Sequence, residues 1–304
     1  MFSNIIQFLK IVASSVEDRR FRAISYTSYA LPINSIPFEY VSRLSEAEIV
    51  ITDIDTLSTE EFFSKLFDGA KNLLSIIVID AISRISKRPE LIRELTSYGF
   101  TKALLPIDSG AILFVKKGFD YGFFRKTIDV YRESFIYGPN PIHYNTAYTL
   151  YNLAKLVLTK RQGTIVEIGT GRGFSTLWLA HVAKEQNSKV ISIDNKCDRV
   201  DYAVKVLKEL SLDSYTELLC LDAKEYDHGK KDIVFVFIDG KKDEYHRYLE
   251  AIEKYLVRNA LVLAHNTLSD AHVVKPYIEK VYNPPYESIT IAIDPAGITI
   301  SLYA

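Results

Sequence analysis

Among 304 residues there are only two cysteines, one tryptophan and one methionine. Cys197 and Cys220 have the spacing of neither a zinc site nor a disulfide framework, so a reducing, cytoplasmic setting is expected. An excess of charge is missing as well: 37 Lys and Arg stand against 38 Asp and Glu, a net charge of -1. Without a basic field there is little to attract a phosphate backbone, which counts against nucleic acid as a partner. Long apolar runs are also absent. Phe2, Ile5, Ile6, Leu9 and Val12 recur at helical spacing, but Asn4, Gln7 and Lys10 interrupt them. The pattern is that of an amphipathic helix docked on a core. It is neither a signal peptide nor a membrane span, which needs about 20 apolar residues.

The chain does hold 48% hydrophobic and 25% charged residues, enough apolar material for a core and enough length for two domains. Abundant Ile, Tyr, Lys and Glu beside a single Met give it a thermophile-like composition. From Thr164 onward the β-rich runs TIVEI, KVISID, TELLCLD, DIVFVFID and NALVLAH each precede a polar or helix-patterned stretch. Such alternation predicts a parallel sheet covered by helices. The ending, YESITIAI and GITISLY joined through Asp294 to Gly297, predicts a terminal β-hairpin. The expected fold class is α/β, a Rossmann-like seven-stranded doubly wound sheet ending in that hairpin, preceded by a smaller α/β domain.

The domains are expected at 1–120, an N-terminal α/β unit; 121–144, an aromatic linker with a short helix; and 145–304. The N-terminal unit echoes the second half of the pattern, with strands near EIVITDI, LLSIIVID, TKALLPI and AILFVKK. A constant slide of 186 positions sets Asp53 on Asp239, Asp80 on Asn266 and Asp108 on Asp294. Either a partial duplication or the general likeness of such segments accounts for this. The unit has no glycine-rich loop, so no cofactor site of its own is expected.

That loop lies in the second unit, in VEIGTGRGFST, where a buried strand runs through Glu167, Gly169, Thr170, Gly171 and Gly173 into a helix near Ser175. The turn needs positive φ, and a cofactor must lie against bare backbone there. Nucleotide dehydrogenases use a related loop, so the context has to decide. Asp194 ends the next strand, where a carboxylate accepts ribose hydroxyls, and Asp222 ends the one after it, at the adenine edge.

Residues 145–304 resemble the catechol and caffeoyl-CoA O-methyltransferase group of class I S-adenosylmethionine-dependent methyltransferases, for which a terminal hairpin is characteristic. The resemblance implies cofactor binding by Glu167, Gly169, Gly171, Gly173 and Ser175, with Ser175 on the methionine carboxylate. It matches FIDGKKDEY to a D-x-x-K-x-x-Y motif, giving Asp239 as a metal ligand and Lys242 as the base, with Tyr245 as its third member. Where the group has Asp-Asn as further ligands, this chain has His265 and Asn266. Asp239, His265 and Asn266 together suit Mn, Fe, Co or Zn better than Mg. His265 acting directly as a base, with an apparent pKa of about 6 to 7, and a structural histidine remain alternatives. His143, His181, His228, His246 and His272 have no comparable context.

The expected function is S-adenosylmethionine-dependent O-methylation of a small-molecule acceptor. Methylation of a protein or tRNA, and cofactor binding without catalysis, are the alternatives. The N-terminal unit and linker are expected to cover the mouth of the site or to form the face of a homodimer.

Overall fold

The run Ile233–Ile238, IVFVFI, is buried at every position, which the centre of a helix-covered sheet demands and an exposed sheet forbids. The computed structural model describes residues 2–16, 19–81, 84 and 88–304. It divides into two units, Met1–Gly118 with Ile291–Ile293, and Phe119–Thr290 with Asp294–Ala304. No helix among the described residues is long and apolar enough to cross a membrane.

In the first unit the described elements are α1 (Ser3–Ser14), β1 (Arg22–Tyr26), β2 (Glu39–Tyr40), β3 (Ile49–Asp53), α2 (Ile54–Leu57), α3 (Glu60–Gly69), β4 (Ser75–Ile79), α4 (Pro89–Ser97), β5 (Phe100–Leu105) and β6 (Ala111–Lys116). They build a sheet of order β2-β1-β3-β4-β6-β5. The second unit contains α5 (Tyr121–Tyr137), α6 (Tyr144–Lys160), β7 (Thr164–Ile168), α7 (Phe174–Glu185), β8 (Lys189–Asp194), α8 (Cys197–Glu209), β9 (Thr216–Cys220), β10 (Ile233–Ile238), α9 (Tyr245–Glu253), β11 (Leu256–His265), α10 (Lys275–Val281), β12 (Tyr286–Ile291) and β13 (Ile298–Tyr303). Its seven strands run β12-β13-β11-β10-β7-β8-β9, with β13 antiparallel to β11.

The two sheets repeat one order: β1-β3-β4-β6-β5 answers to β7-β10-β11-β13-β12, with parallel and antiparallel neighbours in the same places. The 186-position slide carries Phe100–Leu105 onto Tyr286–Ile291. A second slide, of 142 positions, carries Arg22–Tyr26 onto Thr164–Ile168, so β1 joins a correspondence that sequence patterning had confined to the later strands. β1 escapes notice because Arg22, Ser25 and Tyr26 dilute its apolar signal.

The stretch expected as a linker holds a 17-residue helix, α5, longer than the short one anticipated. Asp120 caps it by accepting from the Phe123 amide at 2.9 Å. Its aromatics dock it on α7: Phe123 meets Trp178 at 5.3 Å between ring centroids, and Tyr131 meets Phe174 at 5.0 Å.

One expectation is overturned. Cys197 and Cys220 form a disulfide, with Cα atoms 5.1 Å apart. A sequence separation of 23 conceals the pairing, but β8 and β9 lie side by side with Asp194 opposite Cys220, so the start of α8 falls beside the end of β9. In the chain-entropy account, closing a loop of this length stabilises the fold by about 3 kcal/mol.

Candidate active site

Strand order in the second unit reverses between β7 and β10, and in open α/β sheets this opens a crevice beyond the carboxyl ends of the strands. A cleft of about 960 Å³ lies there. Gly169, Thr170, Gly171, Ser175, Asp194, Asp222, Asp239, Lys242, His265 and Asn266 all line it. Of the residues assigned from sequence, Tyr245 does not, and neither do Glu167 and Gly173 of the loop.

The glycine loop explains why those two stand behind the wall. At Gly169, φ is +105° and an added Cβ would come within 2.4 Å of the Asp239 carbonyl oxygen, so β7 and β10 can approach only if this residue is bare. Gly173, at φ +84°, starts α7 against Ala203. Glu167 is fully buried below the loop, and its Oε2 accepts from the hydroxyls of Thr176 and Ser192, each at 2.5 Å. Burial pushes its carboxyl up to about 7, against the opposing effect of Ser175, Ser192 and Thr176. Its Oε1 is buried with no hydrogen-bond partner among the described residues.

The Asp194 carboxylate faces the loop. Its Oδ2 accepts from the Gly171 amide and its Oδ1 from the Lys196 amide, both at 2.9 Å. Asp222 accepts from the Lys224 amide at 3.0 Å and pairs with the Lys224 ammonium at 3.2 Å, so it also shapes its own turn. Pro139 packs over Gly171, where an added Cβ would lie 3.1 Å from its Cγ. Nothing in the sequence pattern signals that contact between distant loops.

At the other end of the cleft, His265 ends β11 and is buried. Its Nε2 is 3.0 Å from Oδ2 of Asp294, in the hairpin turn. The same oxygen accepts from the Thr146 hydroxyl, while the amides of Ala296 and Gly297 donate to Oδ1 at 2.9 Å. His265 Nδ1 lies 3.5 Å from Asp239 Oδ1, too long for a good hydrogen bond, and that buried nitrogen has no hydrogen-bond partner. Tyr245 donates to Asp239 Oδ1 at 3.4 Å. Lys242 is half-buried at the rim, and the neighbouring Lys241 is held by Asp243 and Glu244. Sequence reading put Asp294 in the hairpin but gave it no role; its pairing with Asp108 under the slide was the available signal.

Burial alone would lower the pKa of His265, but the nearby Asp239 carboxylate and the hydrogen-bonded Asp294 carboxylate prevail and raise it to about 9. For Asp294, burial works upward, yet His265 and Thr146 carry it well below the usual carboxylate range. A histidine whose folded pKa exceeds its ordinary 6.5 contributes stability that is complete below pH 6.5 and is lost as pH climbs through about 9. Glu167, with its pKa raised, lowers stability between 4.5 and about 7 and acts evenly above. The thermal midpoint of chelator-treated protein should therefore fall more between pH 7 and 9 than that of His265→Gln. Parallel curves for the two proteins would contradict the assignment.

A divalent cation is implied by the resemblance, and the donor set fits one. A partnerless buried Nδ1, with Nε2 tied to a carboxylate, is how metal-bound histidines are oriented, and Asp239 Oδ1 shares the same small volume. Asn266, at φ +59°, follows directly. Among the described residues no three His, Cys, Asp or Glu side chains group to hold a metal, so the third protein donor would be the Asn266 amide oxygen. The other histidines are spoken for in part: His181 contacts Glu185 at 2.9 Å, His228 contacts Asp232 at 2.5 Å, and His143 caps α6.

Residues 166–267 match the family model of a methyltransferase domain. No curated protein sequence matches the chain. Among solved structures, a methyltransferase from Geobacter sulfurreducens is 21% identical with a TM-score of 0.51, the match covering 74% of this chain and 100% of that one. An O-methyltransferase from Bacillus cereus, solved with S-adenosylhomocysteine, is 16% identical, with a TM-score of 0.51 and 62% and 93% covered. A methyltransferase from Podospora anserina, bound to the same molecule, is 12% identical, with a TM-score of 0.52 and 72% and 96% covered. At these identities the likeness is one of fold. The second unit of this chain has the fold of those methyltransferases, and the stretch that matches the methyltransferase-domain model lies within it.

Proposed function

We propose that the chain is an S-adenosylmethionine-dependent methyltransferase acting on an oxygen of a small-molecule acceptor. The observation that carries this reading is one cleft lined both by a bare glycine loop with Asp194 and by Asp239, Lys242 and His265. The first set suits a nucleoside cofactor and the second suits activation of a hydroxyl. The S-adenosylhomocysteine bound to the Bacillus cereus and Podospora anserina proteins supports the choice of cofactor. The balanced net charge favours a small acceptor over tRNA.

In the reaction the acceptor oxygen loses its proton and attacks the methyl carbon, and the carbon–sulfur electron pair returns to sulfur, giving S-adenosylhomocysteine. The sulfonium charge disappears on the way, so positioning and deprotonation are the levers left to the protein. Holding the partners in line is worth about 7 to 11 kcal/mol, and the loop, Ser175, Asp194 and Asp222 are assigned to it. Lys242 at the rim is assigned the proton. Asp239, His265 and Asn266 would hold a divalent cation, with Asp294 fixing the imidazole ring; such a cation supplies positive charge that favours the ionised acceptor oxygen.

A second reading makes His265 the base, and its raised pKa gives that reading a distinct signature. Its rate would survive chelation and climb with pH toward about 9, not 6 to 7, because two carboxylates hold the proton. The deciding experiment measures S-adenosylhomocysteine release with catechols, other phenols, a protein extract and bulk tRNA. Each is run with a chelator and with added Mn²⁺ or Mg²⁺. Release with phenols, lost on chelation and restored better by Mn²⁺, is expected; release only with protein or tRNA would overturn the acceptor class.

The N-terminal unit is assigned no cofactor site. Its strand ends are filled by its own side chains: Asp53 accepts from the Ser28 and Thr56 amides, and Asp80 takes the Tyr29 hydroxyl and Arg84. A homodimer belongs to the reading, supported by Phe135, Ile136 and Tyr137, which are 55 to 70% exposed at the end of α5. So does a cytoplasmic, thermophilic setting, since disulfides are frequent in the intracellular proteins of hyperthermophiles.

A further inference from the structure

The Cys197–Cys220 disulfide takes no part in methyl transfer, yet both its ends belong to the frame of the cleft. Cys197 opens α8, three residues after Asp194, and Cys220 closes β9, two residues before Asp222. Asp194 and Cys220 are register partners, and the Leu221 amide donates to the Asp194 carbonyl at 3.2 Å. β9 is an edge strand, paired with β8 alone, and none of its five residues is fully buried. A strand with so little apolar cover opens locally at low cost, so the turn carrying Asp222 depends on whatever else ties it down. The disulfide is one such tie, beside the Lys224 ammonium that joins Asp222 at 3.2 Å to Glu244 at 2.8 Å. Both cysteines are exposed, which leaves the bond open to a soluble thiol.

We propose that this disulfide is a redox clasp on the adenosine end of the cleft. Oxidised, it holds the Asp222 turn against the Asp194 turn; reduced, it frees the edge strand and weakens cofactor binding. The chemistry is thiol–disulfide exchange. One thiolate of a dithiol attacks a sulfur of the bond, its second thiolate resolves the mixed disulfide, and two electrons and two protons pass to Cys197 and Cys220 as the dithiol closes to its own disulfide. The proposal rests on reading the cleft as the S-adenosylmethionine site.

If the freed edge keeps its closed arrangement for a tenth to a fifth of the time, the apparent Kd rises about five- to tenfold. The test is titration calorimetry of S-adenosylhomocysteine on the whole chain, purified without reductant, then treated with dithiothreitol, then reoxidised. Thiol titration and far-UV circular dichroism follow each state. A Kd that rises on reduction and returns on reoxidation, with secondary structure unchanged, is expected. Cys197→Ser/Cys220→Ser should show the weaker Kd in all three conditions. Equal Kd values in oxidised and reduced wild-type protein, or two free thiols in protein never exposed to reductant, would overturn the clasp alone. Absence of binding in every state would overturn the reading of the cleft and the clasp with it. Should the double variant fail to fold, the wild-type titration decides.

Discussion

His265→Ala is expected to lower kcat by about 10²- to 10⁴-fold while leaving S-adenosylhomocysteine affinity within about twofold. The split follows from where His265 lies. It ends β11 beside Asp239, at the end of the cleft away from Asp194 and Asp222, and it is locked by Asp294. As a metal ligand or as a base it would act at the reacting oxygen, through the cation or directly, and not on the nucleoside. Steady-state rates with the acceptor found in the release screen, set beside calorimetry, check the result. If the variant keeps both the wild-type rate and its pH profile, His265 is structural and neither chemical role stands.

The second large effect belongs to Asp194. Asp194→Ala should weaken cofactor binding by about 1 to 3 kcal/mol, or about 5- to 150-fold, because hydrogen bonds to a charged acceptor are lost. Two contributions enter. One is the ribose contact; the other is the grip on the Gly171 and Lys196 amides, which shapes the loop before any cofactor arrives. Asp194→Asn separates them, since its amide oxygen still accepts from one of those amides while the charge is gone. An Asn variant close to Ala in affinity assigns the loss to the charged ribose contact. Unchanged affinity in Asp194→Ala would remove Asp194 from the site.

The parallel sheet and the glycine loop were legible because their signals are local. β10 announces itself through six consecutive buried apolar residues, and the loop through three glycines, all at positive φ, a region that most side chains avoid. Two kinds of feature were not. β1 and β2 are short or polar at the faces they expose, so patterning gave the N-terminal unit four strands where its described residues form six. Contacts between distant segments leave no local trace: the disulfide, Pro139 over Gly171, and Asp294 on His265 each depend on register or on loop packing. For Glu167 the position in the motif was legible, but its hydrogen bonds to Thr176 and Ser192, which come from the helix after the loop and the neighbouring strand, were not.

Calorimetric titration of S-adenosylhomocysteine into the whole wild-type chain tests the central claim most directly, with Gly171→Asp as its partner. That variant sets a side chain at φ +50°, beside Pro139 and next to the Asp194 carboxylate, where strain and like charge both oppose binding. The account predicts one molecule bound per chain in the wild type and none detectable in Gly171→Asp. Two molecules per chain, or one that persists in Gly171→Asp, would contradict it.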